Sequence, residues 1–437
     1  MTRSACFVSL AFTVAACTSG SPTDRITGQT EFISAPMAGT SGGGARNGVG
    51  DGTAGGATPG TTPSTPAINP QPQRTVEETD LYRLEGTRLY YLNGYRGLMV
   101  FDVSDVDHPK MLGRSAIFGS PVEMLVRNGI AVVVVADWYG QLDDGTPFRG
   151  SIVRGLDATD PTNIKVLGEA KLGGWVRDTR VVGDVLYAVS EDYGWSYGWG
   201  VDAAGATGVG TVSPGNTTTT ETVIVSSVSF ANNVIAAVGK VAFPGYSGIF
   251  NVTPSSILLA HDPGTQQAAT ELLYLDISDP AGAIVQRGSI TVDGRAQGWG
   301  ADNGRWNLDF ADGKTAHVIG CAGGQYGCDG TGYLLDTVDF TNPDAPVLMS
   351  KLAIPSAGWS VAARFDTNRL YLSPDNYSSS NDATPLQVYD TTNPAAPTLA
   401  GSTTIPGTVW NILPAPQQRI FALGNDWSNQ SSGGDSV

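Results

Sequence analysis

This sequence predicts an all-β fold made of repeated four-stranded units, on three observations: a copied turn motif, short strand-like runs ahead of each copy, and no sustained helical period. The motif is clearest in VFDVSDVDHPKMLG, residues 100 to 113. It returns as GLDATDPTNIKVLG from Gly155, YLDISDPAGAIVQRG from Tyr274, TVDFTNPDAPVLMS from Thr337 and VYDTTNPAAPTLAG from Val388. In each copy an apolar run ends on an Asp (Asp102, Asp157, Asp276, Asp339, Asp390), with Ser or Thr at +2 and Asp or Asn at +3. Pro follows directly in four of the five copies. An Asx side chain bonds backbone amides just ahead of it and Pro presets φ, so the element reads as strand, tight turn, strand. Successive motif Asp residues lie 55, 119, 63 and 51 positions apart. Four strands per interval of about 50 to 63 residues is the spacing of a β-propeller blade, and the long interval is two blades.

The remaining strands are read from apolar, β-branched and aromatic runs such as LYYL at 89, IAVVVVAD at 130, VLYAVSED at 185, SILLAHD at 256, LYLSPD at 370 and RIFALGND at 419. Blades are expected at about 81–118, 122–172, 175–243, 246–293, 299–355 and 358–406, with a last one from 409. The third blade lacks the Asp turn, its third strand being VIVSSVSF from Val223. By the spacing of the sixth blade, the motif Asp of the seventh would fall just beyond Val437. The expectation is therefore about seven blades of four antiparallel strands, the last incomplete in this chain or closing irregularly.

Residues 1–17, MTRSACFVSLAFTVAAC, hold one basic residue and an apolar run too short to span a bilayer, the pattern of a signal peptide. Its end, Val14, Ala15, Ala16, Cys17, resembles the bacterial lipobox, which implies lipid attachment at Cys17, export, and an envelope lipoprotein anchored at the outer membrane. Residues 18–72 are dominated by Gly, Ser, Thr, Pro and Ala and read as a disordered tether with an r.m.s. span of roughly 40 Å. The propeller domain is assigned to 75–437. Two cysteines remain after Cys6 leaves with the signal and Cys17 takes lipid: Cys321 and Cys328, in CAGGQYGC. In an oxidising compartment they are expected to pair, closing a short loop at a gain of ~2.5 kcal/mol on the chain-entropy model.

The segment from Thr75 through Gly113, together with GLMVFDVSD and YLDISDP, resembles the secreted bacterial β-propeller domain proteins with LVIVD-type repeats, common among myxobacteria-like lipoproteins. The resemblance implies the fold and export, and no catalytic residues.

The formal charge is -16, and because the few charges of residues 1–72 cancel, all of it belongs to the propeller. Such a surface disfavours nucleic acid and anionic membrane faces, so the membrane is expected only through the lipid anchor. Histidines are limited to His108, His261 and His317, in different blades and without metal-ligand spacing, so neither transition-metal catalysis nor a Ser/His/Asp arrangement is supported. No cofactor is expected. Calcium at Asp137, Asp143 and Asp144 is the alternative considered, in a loop without EF-hand spacing.

Two aromatic rings repeat with the blades. Trp175, Trp306, Trp359 and Trp410 open first strands and would lie at similar heights, as a ligand platform or as wedges between blades. The second set follows the second strand, where Asn or Asp meets an aromatic. Trp138, Tyr139, Tyr193, Trp195, Tyr197, Trp199, Tyr377 and Trp427 are its candidate ligand-binding residues. Rings that stack and carboxylates that bond hydroxyls suit a protein or polysaccharide partner at the cell surface, so a binding or scaffolding module is the leading expectation. The alternative is a propeller hydrolase or lyase with an acidic channel site.

Overall fold

A computed structural model describes residues 74–78, 80–192, 221–265, 268–296, 304–323, 332–355, 361–374, 383–415, 419–426 and 435–436. Strand β1 (Val76–Glu78) precedes the blades. Blade one is β2 (Tyr82–Glu85), β3 (Arg88–Asn93), β4 (Gly97–Asp102) and β5 (Lys110–Ser115); blade two is β6 (Ser120–Arg127), β7 (Ile130–Gln141), β8 (Pro147–Asp157) and β9 (Lys165–Leu172). Blade three is β10 (Trp175–Val182), β11 (Val185–Asp192), β12 (Thr222–Ser229) and β13 (Ala236–Pro244); blade four is β14 (Tyr246–Val252), β15 (Ser256–Asp262), β16 (Ala269–Asp276) and β17 (Val285–Asp293). Blade five is β18 (Leu308–Asp309), β19 (Thr315–Cys321), β20 (Tyr333–Asp339) and β21 (Val347–Ile354); blade six is β22 (Val361–Asp366), β23 (Arg369–Pro374), β24 (Ala383–Asp390) and β25 (Thr398–Pro406). Blade seven has three described strands, β26 (Thr408–Ala415), β27 (Arg419–Asp426) and β28 (Asp435–Ser436). Every pairing is antiparallel and sequential within its blade, and the blade limits fall within a few residues of those read from the motif spacing, except in blade five, whose short first strand begins only at Leu308.

The copied Asp residues build the turns expected of them. Asp102, Asp157, Asp276, Asp339 and Asp390 end the third strands, and each Oδ1 accepts the backbone N–H two residues on, at 2.7–3.0 Å. The next Asx repeats the geometry: Asp105, Asp160, Asp279, Asn342 and Asn393 accept from Asp107, Thr162, Ala281, Asp344 and Ala395. Hydrogen bonds from Ser or Thr at +2 hold the carboxyls of Asp102, Asp157, Asp339 and Asp390 below the usual range. Blade three does without the Asp; Asn232 and Asn233 make its turn in the left-handed region, at φ 55° and 61°.

The core is a series of slabs between neighbouring blades rather than one centre. Alternate residues of each strand face opposite neighbours, so Val133 and Val135 pack toward blade one while Val132 and Val134 pack toward blade three. Six such clusters join blades one through seven in order.

Ahead of blade one, β1 pairs with β10 of blade three, Val76 opposite Val182, and Asp80 bridges to Met124 of β6. Since β10 and β6 are innermost strands, this segment runs within the axial channel before entering blade one. One expectation changes: the first-strand tryptophans do not share one height. Trp175 starts β10, Trp306 sits in a 3-10 turn ahead of β18, and Trp410 occupies a bulge, the place held by Arg177 in β10. Trp359 lies outside the described residues.

Candidate functional site

The longest hairpin among the described blades is β7–β8, whose 12 and 11 residues carry it past β6 and β9 of its own blade at the rim formed by the connections between second and third strands. A bulge between Val135 and Trp138 turns the chain, with Asp137 in the left-handed region at φ 51°. Beyond it Tyr139 pairs with Arg149. The Asp137 carboxylate accepts from Arg149 Nε at 2.7 Å and ion-pairs its Nη2 at 2.6 Å. The same guanidinium lies 4.7 Å from the Tyr139 ring centre. Trp138 folds back toward Phe148, with ring centres 6.1 Å apart, and over Gly140, where a Cβ would meet the indole at 2.0 Å. Tyr139 is therefore the ring left outward, 47% exposed. On the same rim Tyr95 is 92% exposed at the β3–β4 turn, where Asn93 caps the Tyr95 and Arg96 amides.

The structure thus places Trp138 and Tyr139 on one protruding hairpin, one packed and one presented. Tyr193, Trp195, Tyr197, Trp199, Tyr377 and Trp427 lie outside the described residues. The three acids considered for calcium have separate engagements: Asp137 with Arg149, Asp143 with Lys171 at 3.3 Å, and Asp144 with the Thr146 amide at 2.9 Å. Among the described residues no three His, Cys, Asp or Glu side chains stand close enough to hold a metal ion.

A second cluster, not anticipated from sequence, occupies the channel. Glu123 of β6 accepts from the Thr179 amide and hydroxyl of β10 at 2.9 and 2.5 Å. Asp178 accepts from Arg180 at 2.5 Å. Burial pushes the Asp178 carboxyl up, and the guanidiniums of Arg180 and Arg305 more than reverse this, leaving it below the usual range. Arg305 belongs to blade five and Asp178 to blade three, so this attraction reaches past blade four, as only groups near the axis can. Arg305 lies 4.5 Å from the Trp306 ring centre and Arg364 of blade six 3.6 Å from it. Farther along, Arg177 pairs with Glu191, which accepts from the Gly248 amide of blade four at 3.1 Å. The channel acids are thereby matched with cations and amides that tie blades together. No sequence pattern marks Arg305 or Arg364; the only local signal is the first-strand bulge recurring in β6, β10 and β26.

The histidines are dispersed. His108 meets Asp105 at 2.9 Å on the surface, His261 meets Glu271 at 3.2 Å in blade four, and His317 lies 3.8 Å from Asp309 in blade five. Burial lowers the His261 pKa, which favours the neutral ring. Cys321 ends β19 and is buried, its backbone bridged to Arg295, while Cys17 and Cys328 lie outside the described residues.

Comparison with solved structures returns chains of low identity. A functionally unknown protein from Desulfotomaculum acetoxidans aligns over 80% of this chain and 99% of its own at 12% identity, with a TM-score of 0.40. The computationally designed Ika8 protein aligns over 79% and 80% at 10% identity, TM-score 0.43. A hypothetical selenium-binding protein from Sulfolobus tokodaii aligns over 74% and 76% at 9% identity, TM-score 0.36. No curated protein matches. The model of the beta propeller domain family matches residues 69–299, more than half of the chain, and with the blades described above it shows that the chain belongs to that family.

Proposed function

We propose that this protein is a binding or scaffolding module of the cell envelope, a lipid-tethered propeller that offers the rim carrying the β7–β8 hairpin to a protein or polysaccharide. The observation that carries the reading is Tyr139, exposed on a hairpin that extends past its blade and braced by Arg149 beneath its ring. An aromatic face held rigid by a cation loses little entropy on stacking against a sugar or a partner side chain. The matched ion pairs of the channel favour this over an acidic axial active site. Glycan-array and envelope pull-down experiments with the full chain test it. Tyr139→Ala should weaken capture by about tenfold or more, as expected of an interface anchor, with an unchanged melting temperature. Capture that survives both Tyr139→Ala and the combined Ala replacement of Trp195, Tyr197 and Trp199 overturns the rim assignment.

The rest of the proposal concerns the address. Cys17 is the lipid attachment site, residues 18–72 hold the propeller off the outer membrane, and Cys321 pairs with Cys328. Lipid labelling lost in Cys17→Ala, with release from the membrane fraction, is the expected result, and non-reducing peptide mapping reports the disulfide.

A further inference from the structure

Three backbone segments of blades one and two meet at the rim that carries the β7–β8 hairpin: the β3–β4 turn, the crossing from β5 to β6, and the bulge in β7. A Cβ at Gly94 of the turn would lie 3.3 Å from the Pro121 side chain and 3.5 Å from the Gly119 carbonyl oxygen of the crossing. A Cβ at Gly119 would lie 2.7 Å from the Ala136 oxygen and 3.5 Å from the Asp137 oxygen of the bulge, and Gly119 takes φ 132°, which a side chain would strain. The crossing is also held from within its own blades. Ile117 is buried in the slab between blades one and two, and Arg154 of β8 donates to the Ala116 carbonyl at 3.3 Å. With Ile117 turned in, Phe118 is turned out and is 70% exposed. Tyr95 follows Gly94 and Tyr139 lies two residues past Asp137, so each of the three touching segments carries one exposed ring.

The charge around these rings differs from that of the rest of the chain. Residues 81–172, which make blades one and two, hold ten basic and eleven acidic side chains, whereas residues 173–437 hold 11 and 24. Among those eleven acids, Asp102, Asp105, Asp157 and Asp160 are spent in the motif turns at the opposite face. At the rim itself Asp137 and Asp143 are matched by Arg149 and Lys171. Arg96, next to Tyr95, is exposed and has no ion-pair partner among the described residues. A strongly acidic protein thus keeps one part of its rim where aromatic faces stand beside an available guanidinium. A polyanion is repelled by the rest of the surface and admitted there.

We propose that the part of the rim formed by Tyr95, Phe118 and Tyr139 binds an acidic polysaccharide, the rings stacking on sugar faces and Arg96 pairing with a carboxylate. The inference rests on the rim reading above and narrows its partner to one chemical class. A uronic-acid unit offers an apolar ring face and a carboxylate together, which are what an exposed aromatic and a guanidinium fork take. Three rings on three separate segments suit a ligand that repeats one unit, because each ring can meet the same chemistry. A neutral glycan would leave Arg96 unmatched.

The test uses the full chain and fluorescently labelled oligogalacturonate, followed by anisotropy, with the fully methyl-esterified oligomer as its uncharged counterpart. Saturable binding of the acid is expected, falling as salt is raised. Binding should weaken about tenfold or more for the ester, for Phe118→Ala and for Arg96→Ala, with part of the loss recovered in Arg96→Lys. Melting temperatures should stay unchanged, because both side chains are exposed. Absence of binding to oligogalacturonate, equal binding of acid and ester, or binding indifferent to Phe118→Ala and Arg96→Ala overturns the proposal. The envelope pull-down separates this inference from the rim reading. A protein captured through Tyr139 by a chain that ignores oligogalacturonate keeps the rim and overturns the acidic glycan. Envelope capture indifferent to Tyr139→Ala and to the triple loop replacement, beside oligogalacturonate binding that needs Phe118 and Arg96, does the reverse.

Discussion

The Arg364 guanidinium stacks on the Trp306 indole with 3.6 Å from its central carbon to the ring centre, and these residues come from blades six and five. Arg364 is 2% exposed, so the contact is desolvated, where a cation over an indole is worth about 2 kcal/mol. A planar guanidinium stacks in a way that an ammonium does not. Arg364→Lys should therefore destabilise by about 1–2 kcal/mol in urea titrations. A double-mutant cycle with Trp306→Leu should show strong coupling; additive effects would dissociate the pair.

Gly113 stands opposite Val100 and Gly401 opposite Val388, each two residues before a motif Asp, yet a Cβ at Gly113 would lie 1.7 Å from the Pro161 carbonyl oxygen of the next blade while one at Gly401 meets nothing within 4 Å. Because the atom against Gly113 is a backbone carbonyl held by its own turn, it cannot move aside as a side chain would. Gly113→Ala should cost about 2–3 kcal/mol, while Gly401→Ala should change stability by no more than about 0.5 kcal/mol. Equal melting temperatures for the two variants would refute the account of how blades seat on one another.

How much of this was legible in the sequence follows the range of the interaction. Asp102, Asp157, Asp276, Asp339 and Asp390 were readable because an Asx turn is decided by its own few residues, and their repetition located the blades. The absence of the motif in blade three was equally legible, and Asn232 and Asn233 supply the turn there. The pairing of Val76 with Val182 was not, since nothing local to VEE specifies a partner over a hundred residues away. Arg305 and Arg364 meet at Trp306 only after the ring brings blades five and six together. The tryptophan series misled because a bulge shifts Trp410 onto the place of Arg177. Of the candidate rim, Trp138 and Tyr139 lie side by side in β7, and which ring faces outward depends on the bulge at Asp137, which no local pattern announces.

Arg287 joins two blades at the surface. It forms a bidentate pair with Asp344 of the next blade, at 2.7 and 2.5 Å, and reaches its own blade's Asp276 at 3.4 Å. The Asp344 and Asp276 carboxylates raise its pKa, and Arg287 in turn helps hold Asp344 below the usual range. Arg287→Ala should lower the urea midpoint only slightly, as expected of a solvent-screened pair, and the loss should shrink at high salt. Hydrogen exchange at the Gly288 amide, which donates to Pro343, should accelerate in the variant.

Asp336 is fully buried in β20, and neither carboxyl oxygen has a hydrogen-bond partner. Burial raises its pKa to about 6, with Asp293 raising it further and Lys351 opposing. The native state thus keeps a proton that the unfolded chain releases above its ordinary value of 3.8. Its contribution is complete below that value, declines as pH rises toward about 6, and is flat beyond. Asn at this position stays neutral throughout. Asp336→Asn should match the wild type near pH 4 and exceed it by roughly 1–2 kcal/mol at pH 7, a figure reduced for screening by the nearby Lys351–Asp293 ion pair. The difference between the two proteins isolates this group from His261, whose lowered pKa gives the opposite slope in both. Urea titrations at pH 4, 5, 6 and 7 measure it, and a difference that does not grow with pH would mean that Asp336 is already ionised in the folded protein.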